Sequence, residues 1–90
     1  MSETTVSVIV PVYNEAAQVI SLVNRLDFLK DYVKDIIIVD GGSNDGGDVT
    51  LAKHFTLIQS EKGRAQQMNA GAQLAQGTWI IFLHADTHLS

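Results

Sequence analysis

Four short polar clusters hold the residues of this 90-residue chain whose types and spacing could do chemistry. They are Pro11-Val12-Tyr13-Asn14-Glu15, Asp40-Gly41-Gly42-Ser43, the turn from Glu61 to Arg64, and His84-Ala85-Asp86, each following an apolar run. Arg64 stands where a helix begins, an end that favours anions over cations. A bound phosphate resolves that conflict, and a solvated surface arginine after Gly63 is the other reading. Asp40 ends a β-branched run and suits either a ligand's hydrogen-bond donor or the capping of the turn behind it. Glu15 reads either as a pocket carboxylate or as a first-turn acid complementing a helix dipole. Asp45 and Asp48 rise no higher than loop caps, so no general base is assigned.

Several chemistries are excluded outright. With no cysteine there is no thiolate nucleophile, thiolate zinc site or disulfide. The glycine-rich stretch 41–47 lacks a following Gly-Lys-Ser/Thr and has no G-x-G-x-x-G spacing, so neither a P-loop nor a dinucleotide-binding fingerprint is present. His54 and His88 have no motif partners and read as surface residues, and Trp79 reads as core packing.

The elements that must position these clusters follow from hydrophobic period. Val6-Ser7-Val8-Ile9-Val10 and Ile36-Ile37-Ile38-Val39 are near-continuous apolar runs that suit strands covered on both faces. Asn14 is placed to cap a helix whose Val19, Leu22, Val23 and Leu26 form one buried stripe fading near Leu29. After the glycine-rich loop a short helix is expected over 49–54, a third strand over 55–58, and a helix from 64 to about 76. Ala65, Met68, Ala72 and Ala75 form its small-residue stripe, with Gly77 as a left-handed terminator. A fourth strand covers 79–83. The order βαβαβαβ predicts an α/β fold with an open, mainly parallel twisted sheet, whose ligands sit beyond the carboxyl ends of the strands. All four polar clusters lie at such ends.

Composition narrows the partners. Six basic against ten acidic residues give a net charge of −4, which argues against an electrostatic grip on nucleic acid or anionic lipid. Hydrophobic residues at 46% with charged ones at 18% require a folded core, and the length suits one small domain and not a large two-site enzyme. No apolar run approaches the roughly 20 residues of a membrane span, and the first five residues lack a basic n-region. The cytoplasm is the expected location, with membrane association left open.

Taken together, Val6-Ser7-Val8-Ile9-Val10-Pro11-Val12-Tyr13-Asn14-Glu15, Ile38-Val39-Asp40-Gly41-Gly42-Ser43-Asn44-Asp45-Gly46, Gly63-Arg64 through Asn69-Ala70-Gly71, and Phe82-Leu83-His84-Ala85-Asp86-Thr87 resemble the donor half of a family 2 glycosyltransferase. The resemblance covers nearly the whole chain and implies the Rossmann-like glycosyltransferase A fold, with residues 1–90 as its nucleotide-sugar-binding part and the acceptor part absent. That family commonly carries Asp-Asp-Gly-Ser and Asp-x-Asp where this chain has Asp40-Gly41-Gly42-Ser43 and His84-Ala85-Asp86, and the latter pair is similar to one bacterial subgroup.

Carried over residue by residue, the resemblance gives Asp40 the uracil imide N–H, lines the nucleoside pocket with Pro11, Val12, Tyr13, Glu15 and Gly42, and sets Arg64 near the nucleotide. It gives Asp86 a Mg²⁺ or Mn²⁺ ion bridging the diphosphate of the nucleotide-sugar donor, expected to be a UDP-sugar. His84 stays open between a metal ligand, a donor to ribose or phosphate, and a packed residue. A nucleotide-binding module without transfer activity is the other reading. A nucleotidyltransferase fits less well, because its long glycine-rich loop should follow the first strand. Left uncovered, the strand 79–83 is expected to pair with other copies, making a homo-oligomer.

Overall fold

Strand β1 (Val6–Val12) is β-branched on both faces, and residues 7–10 and 12 are buried. In this computed structural model, which describes residues 5–83, β1 is followed by a 3₁₀ turn (Ala16–Gln18), α1 (Val19–Leu29), β2 (Asp35–Asp40), α2 (Gly47–Ala52), β3 (Thr56–Gln59), α3 (Arg64–Leu74) and β4 (Trp79–Phe82). The sheet order is β3-β2-β1-β4 and every pairing is parallel, as the βαβαβαβ reading requires. No helix among the described residues is long and apolar enough to cross a membrane.

Side chains alternate across a strand, so the two central strands feed two core layers. Val8, Val10, Val12, Ile36 and Ile38 pack with Val19, Leu22 and Leu26 of α1 and with Leu51 of α2. On the opposite face Ile9, Ile37 and Val39 meet Ile58, Ala70 and Ala75. The α1 stripe is the one the period predicts, with Val23 only partly buried.

Helix α3 differs from its expected face. Its buried residues are Gln67 and Gly71, not the stripe of Ala65, Met68, Ala72 and Ala75, because the sheet is approached most closely at Gly71. A Cβ there would lie 2.4 Å from Ile9 Cγ2 and 3.0 Å from Val39 Cγ2. Gly77 is not left-handed either. Helix α3 ends at Leu74 with Ala75 extended, and Gly77 instead lets the backbone pass Ser7, whose N a Cβ would meet at 2.7 Å. Its N–H donates to the buried Ser7 hydroxyl at 2.8 Å, and Trp79 N–H donates to Thr5 O at 2.9 Å, fastening β4 beside β1.

Trp79, expected in the core, is instead 62% exposed, and all four residues of β4 are exposed. Among the described residues β4 is an edge strand of the sheet, with its apolar side chains partly open to solvent.

The close α3–sheet approach yields a test. Gly71→Ala should gain about 1 kcal/mol of helix propensity but lose about 1–3 kcal/mol by overpacking against Ile9 and Val39, so its urea midpoint should fall. A raised midpoint would show that α3 stands further from the sheet.

Candidate functional site

The strand ends are level with one another. Val12 is paired with Asp40 and Asp40 with Gln59, so three strands release their chains at the same edge. Gly41 N–H donates to Val12 O at 3.0 Å and Ser60 N–H to Asp40 O at 2.9 Å, which holds those exits side by side. Even-numbered residues of β1 bond toward β2, as Lys34 N–H to Val6 O at 2.6 Å shows, and odd-numbered ones toward β4, as Leu83 N–H to Ile9 O at 2.9 Å shows. Pro11 therefore stands on the β4 side just where that ladder stops, the place in a sheet where a missing N–H is tolerated.

Asp40 is fully buried. Its Oδ2 accepts the N–H groups of Gly42 at 3.0 Å and Ser43 at 2.9 Å, and its Oδ1 accepts the Ser43 hydroxyl. The loop bends back onto the carboxylate through Gly42, whose φ of 100° is left-handed backbone that glycine adopts without strain. A ring of donors thus both satisfies Asp40 and shapes the loop that follows it.

A second set of bonds clasps this loop to the one after β1. Asn14, at φ 50°, donates its N–H to Ser43 Oγ at 2.8 Å and accepts Asn44 N–H on its side chain at 2.9 Å. It is therefore part of the clasp and not the expected helix cap. The chain instead makes a 3₁₀ turn, with Glu15 at its start and Glu15 O accepting Gln18 N–H at 2.9 Å. Asp45 completes the clasp by accepting Ala16 N–H at 2.9 Å and Gly47 N–H at 3.0 Å. Those two amides, Ala16 first, hold its carboxyl below the ordinary value of 3.8.

The third wall is the start of α3. Gly63, at φ 144°, leads into Arg64, which is exposed in the first turn. Lys62 Nζ stands 4.1 Å from the centre of the Tyr13 ring, a cation–π contact joining this turn to the end of β1. Gln67, one turn into α3, donates to Val12 O at 2.8 Å and Val39 O at 2.9 Å. The positive end of a helix dipole, with Lys62 and Arg64 beside it in sequence, thus stands at this end of the sheet.

Of the expected site residues, Pro11, Val12, Tyr13 and Glu15 leave the end of β1 beside Asp40 and Gly42, and Arg64 begins the helix that Gln67 ties to them. His84 and Asp86 lie outside the described residues, as does His88. Among the described residues no three His, Cys, Asp or Glu side chains are grouped to hold a metal ion. Asn14, Ser43 and Lys62 fall within the expected clusters without the contacts they make here, and sequence reasoning missed Gln67 altogether. For Gln67 a signal was present, an amide at i−4 from Gly71 on the helix face that packs on the sheet.

Because the folded carboxyl of Asp45 is lowered, its contribution is present above its unfolded value and is lost as pH falls through the folded value. Acidification from neutral pH to below 3.8 should therefore release the Ala16 and Gly47 amides, seen as upfield NMR shifts that titrate together. Asp45→Asn should show the shifted positions already at pH 7. Amides that do not follow one titration would remove Asp45 from the clasp.

The fold recurs in known proteins. The family model described as "Glycosyl transferase family 2" matches residues 7–90. An uncharacterized glycosyltransferase of Haemophilus influenzae is 36% identical over 84 residues, covering 89% of this chain and 29% of that protein. An undecaprenyl-phosphate 4-deoxy-4-formamido-L-arabinose transferase of Aeromonas hydrophila is 31% identical over 90% of this chain and 28% of its own length. This chain thus spans about three tenths of those relatives. Glucosyl-3-phosphoglycerate synthase of Mycobacterium tuberculosis, solved with Mn²⁺, UDP and glucosyl-3-phosphoglycerate, shares the fold with a TM-score of 0.81 at 22% identity, over 92% of this chain and 34% of that one. With a sheet, a set of strand-end motifs and a match over residues 7–90 that all agree, the chain belongs to glycosyl transferase family 2 and has the glycosyltransferase A fold its motifs imply.

Proposed function

We propose that residues 1–90 form the donor-binding part of a metal-dependent glycosyltransferase that moves a sugar from a nucleotide sugar, in particular a UDP-sugar, onto an acceptor. The observation that carries this reading is the buried Asp40 at the level ends of β1 and β2, next in sequence to Val39, whose carbonyl Gln67 of α3 binds. A carboxylate reads the imide N–H of uracil by accepting it, and a base that presents an acceptor there leaves two acceptors opposed. Asp40 Oδ2 already accepts two loop amides, whereas Oδ1 accepts only the Ser43 hydroxyl and keeps one acceptor site beyond it. Tyr13 and the backbone of Pro11 and Val12 line the nucleoside, with Glu15 and Gly42 at its rim, and Arg64 faces the diphosphate.

Asp86 is the residue proposed to hold Mg²⁺ or Mn²⁺, with His84 beside it in sequence. The cation would neutralise the charge that develops on the departing nucleoside diphosphate. A mannosyltransferase of Pyrobaculum calidifontis, 26% identical with a TM-score of 0.79 over 94% of this chain and 28% of that one, was solved with GDP-mannose and Mn²⁺, which supports a cation and a diphosphate at this edge. A cytoplasmic location in a bacterium belongs to the same reading.

Calorimetry on the full-length protein tests it. UDP should bind more tightly than ADP and more tightly with Mn²⁺ than with chelator. Asp86→Ala should remove the metal-dependent part of that affinity, while Asp40→Ala should weaken UDP and uridine alike. Equal affinity for ADP and UDP, or indifference to chelator, would sink the assignment.

The exposed apolar edge at β4 leads us to propose self-association of the 90-residue chain. Sedimentation should show a dimer or larger that Ile81→Lys, on that strand, returns to monomer; a monomeric parent chain would refute it.

A further inference from the structure

Three polar side chains are buried among the described residues: Ser7, Asp40 and Gln67. Ser7 receives the Gly77 amide and Asp40 shapes its loop, so each has a local duty. Gln67 has a longer reach. It is 5% exposed on a helix face that otherwise meets the sheet through small and apolar residues. Burying an amide there is unfavourable unless all of its groups are bonded, and all of them are. Its two N–H groups go to Val12 O at 2.8 Å and Val39 O at 2.9 Å, and its Oε1 accepts Gly63 N–H at 3.3 Å.

The partners are three different segments, each one residue away from a residue of the proposed donor site. Val12 precedes Tyr13, Val39 precedes Asp40, and Gly63 precedes Arg64. The packing around the amide is close: a Cβ on Gly41 would lie 3.0–3.2 Å from its Cδ, Oε1 and Nε2. A leucine or methionine at this position would bury as much surface without fixing any of the three exits.

We infer that Gln67 is a positioning residue of the donor site, whose side-chain amide sets the spacing between the nucleoside-facing residues Tyr13 and Asp40 and the phosphate-facing Arg64. The inference rests on the proposed donor site. Its consequence is specific to a ligand that engages both sides at once. Joined ligand parts gain from each other only when the site holds the two halves at the ligand's own span, so loosening the amide should weaken a nucleoside diphosphate more than a nucleoside.

The experiment compares UDP and uridine binding to the full-length protein by NMR titration with Mg²⁺ present, for the parent and for Gln67→Met, which keeps the volume and removes every hydrogen bond. UDP affinity should fall about tenfold, the effect of roughly one buried hydrogen bond, while uridine affinity changes less than about threefold. Gly41→Ala, which presses a methyl onto the amide from the other side at a residue whose φ is not left-handed, should give the same pattern at smaller size and serves if Gln67→Met does not fold. A purely structural role would lower thermal stability and leave the UDP-to-uridine ratio where it was, and that result overturns the inference. Equal losses for both ligands overturn it as well. If the parent protein binds neither ligand, the donor-site reading itself fails, which is a different outcome from a parent that binds UDP and a variant that binds it equally well.

Discussion

The buried carboxylate of Asp40 is the interaction on which the rest of the site depends. An ionised group taken fully out of water must be compensated by donors, and here the donors are the backbone and hydroxyl of the very loop that follows it. The loop folds back because the charge is there, and the charge is tolerable because the loop folds back. Ser43 extends the arrangement, since the hydroxyl that donates to Asp40 also accepts the amide of Asn14 from the loop after β1. One carboxylate therefore organises two of the loops that rim the sheet edge.

Packing delivers that carboxylate to a defined place. The four parallel strands need cover on both faces, and α1 with α2 on one side and α3 on the other supply it for the two central strands. With helices on the faces, the polar loops collect at the edges, and the register of Val12 with Asp40 makes the strand ends coincide. Helix α3 comes closest, at Gly71, and that approach is what brings the amide of Gln67 within reach of two strand-end carbonyls. A larger residue at 71 would hold the helix off and with it the positive helix end.

Charge is distributed along the edge. Asp40 and the Asp45 clasp follow β2, while Lys62, Arg64 and the first turn of α3 follow β3. The Lys62 contact with Tyr13 joins the latter turn to the end of β1. An anionic ligand with a hydrogen-bond-donating ring, as in the proposed donor site, suits such a distribution of charge.

How much of this was legible beforehand follows from which interactions are local. The near-continuous apolar runs of Val8 to Val12 and Ile36 to Val39, and the 3.6-residue period of Val19 to Leu26, determined the strands, the first helix and the parallel α/β class, because a strand covered on both faces is apolar throughout and a helix buried on one face repeats with its turn. Motif order at the strand ends likewise pointed to the family and to Asp40 as a residue of consequence. The clasp was not legible: Asn14 has the side chain of a helix cap, and only the approach of the loop carrying Ser43, Asn44 and Asp45 turned it to a different use. The face of α3 was not legible either, since a helix of alanines, glutamines and glycine has almost no apolar direction of its own. Its rotation was decided by where Ile9 and Val39 leave room for Gly71 and where two carbonyls await an amide, and such contacts between residues some 30 to 60 positions apart exist only once the sheet has formed.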